Sequence, residues 1–203
     1  MILVAVVFKF LTIVNSPEFA VGGRPELPTI DTIRVVLGAI EFKQDRTDLI
    51  VLGTKAFPTY EQILNDPKAT RDEIGRIFGV LTAATADRSR FLERAVAELV
   101  SLDSGVRETA VGLLAQIGSE RDTPPVVALL SDGDITVGVA AAAALKMIGG
   151  PRDLVALNAR LIASDHKHFT PQYQVHHEVL RNHVAKCRDE LKQRLEKPKE
   201  AKE

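Results

Sequence analysis

Aromatic side chains are scarce in this chain, 5% of its 203 residues, and tryptophan is missing altogether. Alanine, valine, leucine and isoleucine must therefore fill its core, which suits helices packed at close range. An excess of one charge is missing too. With a formal net charge of -1 the chain has no polycationic surface to neutralise phosphates, and no nucleic-acid partner is expected. A single cysteine, Cys187, excludes an internal disulfide framework. No Gly-rich phosphate loop occurs, and no Ser/His/Asp set assembles from the sequence. What is present is ordinary for a folded protein, with 45% apolar and 26% charged residues, so wholesale disorder is excluded.

One long apolar run stands at residues 1–14, MILVAVVFKFLTIV. It is short for a bilayer span and matches the apolar middle of a secretion signal, with Ser16, Pro17 and Ala20 near a processing site. Against that, no positive charge precedes it and Lys9 interrupts it, so cytoplasmic and exported locations both stay open. Membrane contact is expected only if this leader is retained. Three prolines and Gly22-Gly23 make residues 15–28 a linker. Residues 29–196 carry helical periodicity, and residues 197–203 form a charged tail expected to fray.

Within the helical part the chain repeats itself. Ile117-Gly118-Ser119-Glu120-Arg121-Asp122 returns 31 residues later as Ile148-Gly149-Gly150-Pro151-Arg152-Asp153. The same shift superimposes Val106, Ala110 and Leu114 on Val137, Ala141 and Leu145. A period of this size means stacked helical hairpins. Their expected bounds are roughly 46–84, 87–118, 121–149 and 152–196, preceded by a short helix carrying Ile33, Val36, Leu37 and Ile40. Leu49, Leu52, Ala56, Tyr60 and Ile63 continue one stripe that Pro58 is expected to bend or split. Pro124 and Pro125 fit the first turn of a helix, where a missing N–H is harmless. In each Arg-Asp pair the aspartate is expected to accept from free N–H groups while the arginine reaches a neighbouring hairpin.

The turn and second helix of each unit, Asp103-Ser104-Gly105-Val106-Arg107 with Ala110, Leu114 and Ile117-Gly118, then Asp132, Val137, Ala141, Leu145 and Ile148-Gly149, resemble HEAT repeats. The likeness is to the bacterial kind grouped with phycobilisome-lyase HEAT-like sequences, and it covers about residues 46–160. It implies an all-α, right-handed α-solenoid of about four HEAT-like hairpins. The family's arginine after the turn valine stands at Arg107 but is replaced by Gly138 and Gly75 in the adjoining units, so a continuous Asp/Arg ladder is not expected.

The resemblance also implies a non-catalytic scaffold that binds a protein or peptide on the concave face of its second helices. On that face Arg76, Glu108 and Lys146 are the candidate partner-binding residues, among small neighbours such as Gly112, Ala115, Val139 and Ala143. An enzyme or enzyme subunit of the chromophore-lyase type is the alternative. No cofactor is expected. His166, His168, His176, His177, His183 and Cys187 cluster near the end, but their spacing matches no compact ligand motif. The histidines are read as flanking the core, with Cys187 a small filler in a stripe of Leu180, Val184, Leu191 and Leu195.

Overall fold

The computed structural model describes residues 29–39, 56–84, 87–164 and 171–197. The leader and linker, Ile40, Leu49, Leu52, His166, His168, the tail from 198 and the side chains of Val36 and His176 lie outside the described residues. Among the described residues all regular structure is helical, as the hairpin reading requires. Contacts divide the chain into two compact units, 1–86 and 87–203.

In the first unit, α1 (Ile30–Ala39), α2 (Phe57–Asn65) and α3 (Arg71–Ala83) pack on one another. Their shared core is Ile33, Leu37, Tyr60, Ile63, Ile77, Phe78 and Leu81, all fully buried. Each such side chain contributes roughly 1.5–3 kcal/mol by leaving water. Pro58 does not split α2; it sits in the first turn, where its fixed φ and missing N–H suit a helix start. Thr70 and Glu73 close a reciprocal box at the start of α3. The Thr70 hydroxyl accepts the Glu73 N–H at 3.2 Å, and the Glu73 carboxylate accepts the Thr70 N–H at 2.7 Å.

The second unit is three hairpins. Their first helices are α4 (Leu92–Glu98), α6 (Thr123–Ala128) and α8 (Pro151–Ser164); their second helices are α5 (Ser104–Ile117), α7 (Ile135–Ile148) and α9 (Pro171–Glu196). The 31-residue register holds: Val106, Ala110 and Leu114, like Val137, Ala141 and Leu145, are buried between neighbours. Starts and stops repeat as well. Asp103 caps α5 by accepting the Val106 N–H at 3.0 Å, and Asp134 caps α7 by accepting the Thr136 N–H at 2.9 Å. α6 is flanked by the 3-10 turns Glu120–Asp122 and Leu129–Ser131. Pro124 cannot serve the carbonyl four residues back, and the Thr123 hydroxyl donates to that Glu120 oxygen instead, at 3.0 Å.

The Ile-Gly pair ends both second helices for a steric reason. Gly118 and Gly149 keep ordinary φ of -78 and -68, so left-handed backbone is not the cause. Each N–H donates back to the helix, to Leu114 and Leu145 oxygens at 2.8 Å. That closeness leaves no space for a side chain: a Cβ would lie 2.6 Å from the Leu114 oxygen at position 118 and 2.3 Å from the Leu145 oxygen at 149.

Stacking is mainly apolar, with an Arg–Asp rung between the first two hairpins of this unit. Arg107 forks onto Asp132, Nε to Oδ2 at 2.8 Å and Nη2 to Oδ1 at 2.7 Å, and its Nη1 donates to the Ser101 oxygen at 2.8 Å. At the next step Gly138 replaces the arginine, and the Leu180 methyls of α9 close to 3.4 Å and 3.5 Å from where its Cβ would stand. The ladder is thus interrupted as expected, because a leucine fills the place of the second rung. Leu180, Val184, Cys187 and Leu191 form the buried stripe of α9. Leu195 is not part of it, being 38% exposed.

Candidate protein-interaction surface

In the second unit α5, α7 and α9 lie side by side, α7 in the middle and touching both. The faces they turn from the core are lined by small or short residues. Glu108 and Ser119 are exposed, and Gly112, Ala115, Val139 and Ala143 are half-buried. Gly150, placed on this face by the repeat register, is instead buried. The surface is therefore shallow and close to backbone, with few long side chains to displace.

The three candidate residues fare differently. Glu108 is exposed on α5. Lys146 of α7 is bound laterally, its Nζ 3.1 Å from Glu190 Oε2 of α9, so it bridges two second helices. Arg76 belongs to the first unit, where Nη1 donates to the Leu37 oxygen at 2.5 Å and Nε lies 2.9 Å from Asp72 Oδ2. It ties α3 to α1. Periodicity gave no view of Leu37 or Glu190, each about forty residues distant in sequence.

Beside the Lys146–Glu190 pair lie His183 and Cys187 of α9. Burial holds the His183 imidazole below its usual range, helped by Lys146 and Lys186 and opposed by Glu190. Its Nε2 is buried without a hydrogen-bond partner. Burial pushes the Cys187 thiol up, which makes it a poor nucleophile. No group of three or more His, Cys, Asp or Glu among the described residues is arranged to hold a metal ion. No helix among them is long and apolar enough to cross a membrane.

Consecutive two-helix units with buried second-helix stripes, aspartate-capped starts and glycine stops are the observations that decide the family comparison. Residues 81–168 match the family model for HEAT repeats. No curated protein and no solved structure matches the chain. The described residues are all-α, the stacked hairpins within residues 81–168 are similar to HEAT repeats, and HEAT repeats generally serve as protein-interaction scaffolds.

Two features of the second unit were not read from the sequence. Val100 and Leu102 are 84% and 96% exposed around the buried Ser101, an apolar tip on the turn between α4 and α5. Periodicity cannot flag them, because they sit between helices. The second is the fate of the Arg-Asp pairs. Asp122 and Asp153 do accept helix-start N–H groups, but Arg121 and Arg152 are exposed and meet no neighbouring hairpin among the described residues. The aspartates turn inward to the backbone and leave the arginines in solvent.

Proposed function

We propose that this chain is a non-catalytic scaffold that docks a protein or peptide on the face made by its second helices. The observation carrying this reading is the α5–α7–α9 layer, whose outward residues are Glu108, Gly112, Ala115 and Ala143. Small residues let a partner helix or extended segment approach the backbone closely, which gains contact area at little side-chain entropy cost. Glu108 and Lys146 supply polar contacts at the rim, with Lys146 partly committed to Glu190. Arg76 extends the candidate set to the first unit, where its own contacts with Leu37 and Asp72 limit how freely it can serve.

The test is affinity capture from a lysate of the source organism, comparing wild type with a Glu108→Ala/Ala115→Tyr variant. Both positions face solvent at least in part, so the fold is expected to survive, as a circular-dichroism melt would verify. Proteins recovered by wild type and lost by the variant support the reading. Identical recovery from both refutes the named face.

A further inference from the structure

The α5–α7–α9 layer divides by charge. α7 carries a single charged residue, Lys146, and its outward stripe of Val139, Ala143 and Met147 is uncharged, with Met147 49% exposed. On α5, Arg107 is committed to Asp132, which leaves the exposed Glu108 as the charge of that margin. On α9, Val179, Lys186 and Glu190 follow one another at steps of seven and four and so share a stripe. Glu190 meets two lysines, Lys146 Nζ at 3.1 Å and Lys186 Nζ at 3.9 Å. This margin therefore keeps an excess positive charge, carried by the more exposed Lys186. The Lys146–Glu190 bridge is more than a third exposed at both ends. That sets the stripe on the outward side of the layer, because α6 and α8 pack against the other side.

Contacts fix the levels of these residues along three parallel helices. Ile148 Cδ1 lies 3.1 Å from where a Gly118 Cβ would stand, so α5 and α7 keep the repeat register and Glu108 is level with Val139. Leu180 packs on Gly138 and Glu190 meets Lys146, which brings Lys186 level with Ala143. Acid and base thus stand on opposite margins, one helical turn (about 5.4 Å) apart along the axis and within side-chain reach of closing that offset.

A second copy of this chain matches the pattern. In a two-fold pair whose axis runs along α7, the uncharged stripes lie on each other, and Glu108 of each copy stands over the partner's Lys186. A two-fold axis across α7 would instead set each margin over its own counterpart and form no such pair. α5 and α7 have 14 residues each, so the layer measures about 21 Å by about 27 Å. Two such faces cover roughly 1,100 Å² in projection, just above the roughly 1,000 Å² that a specific interface needs. A net charge of -1 adds little repulsion between copies. We propose that the partner of the second-helix face is a second copy of this chain, paired about a two-fold axis along α7 by two Glu108–Lys186 contacts. This inference rests on the docking reading above and names its occupant.

Sedimentation velocity of the full chain, from micromolar to near-millimolar concentration, tests it. A monomer–dimer equilibrium is expected, weak because the interface is small. Glu108→Lys alone and Lys186→Glu alone should each weaken association about tenfold, since either turns two attractive exposed pairs into two repulsive ones. An equimolar mixture of the two single variants should regain nearly wild-type association, because the mixed dimer again opposes acid to base at both margins. Both positions are exposed, and circular-dichroism melts verify that the fold is kept. A chain monomeric throughout, single variants that associate like wild type, or a mixture no stronger than its components would each overturn the proposal. A monomeric chain whose lysate capture is still lost in the Glu108→Ala/Ala115→Tyr variant would overturn it while leaving the docking reading in place, with an unrelated protein as occupant.

Discussion

Removing Arg107 should show how much one polar rung adds to an apolar stack. The guanidinium and carboxylate side chains are 15% and 8% exposed, so neither is a freely solvated surface charge. Exposed ion pairs contribute about 0–1 kcal/mol, whereas breaking a buried pair costs roughly 3–5 kcal/mol. The Arg107–Asp132 fork lies between these limits. Arg107→Ala also leaves the Ser101 oxygen without its donor and Asp132 with only the Asp134 N–H at 2.8 Å. A loss of about 2 kcal/mol is expected, read from urea unfolding followed by circular dichroism. Lysine cannot reproduce the two-point fork, so Arg107→Lys should recover only part of the loss. The pH dependence gives a second check. Burial works to raise the Asp132 carboxyl, but the Arg107 fork and the Asp134 N–H outweigh it and hold it below its ordinary value. A depressed acid stabilises the fold above its unfolded value and loses that contribution as pH falls below about 4. The gap between wild type and Arg107→Ala should therefore narrow toward pH 3. A loss under about 0.5 kcal/mol at neutral pH, or a gap indifferent to acid, would refute the reasoning.

Gly149→Ala should destabilise the second unit by about 1–3 kcal/mol, because its Cβ meets a backbone oxygen that cannot move without disturbing α7. Gly133→Ala, where nothing lies within 4 Å of the added atom, is the control and should leave the urea midpoint nearly unchanged. For His183 the folded imidazole is held below its usual value, so folding favours the neutral form. That contribution is whole above about pH 6.5 and declines as pH falls through and below it. His183→Leu should accordingly lose less melting temperature than wild type between pH 7.5 and pH 5.5; equal losses would remove His183 from the account.

The repeat was legible because it is written in side chains that stacking buries. Val106, Ala110, Leu114 and their counterparts at 137, 141 and 145 follow one period and one face, so spacing alone finds them. The glycine stops were visible as a pattern, but their cause, a carbonyl 2.6 Å or 2.3 Å from the missing Cβ, exists only in the folded chain. Pro58 was read as a break because apolar positions precede it; it proved to be a starter, which sequence period does not distinguish. The candidate surface was less legible for a different reason. Charged side chains find partners across hairpins, as Lys146 finds Glu190 and Arg76 finds Leu37, and within-repeat spacing carries no information about such pairings. Arg121 and Arg152 failed in the opposite sense, remaining in solvent where a neighbour was expected.

Arg194 gives the far end of the array an unusual dependence. From α9 its guanidinium donates to the oxygens of Met147 and Gly149, where α7 finishes. Gly149 closes α7 locally through its N–H, and a second set of donors to the last carbonyls arrives from more than forty positions downstream. The two last hairpins are consequently interlocked rather than serial: neither can peel away without stripping the other of a contact. Fraying of the last hairpin therefore also uncovers the carbonyl end of α7.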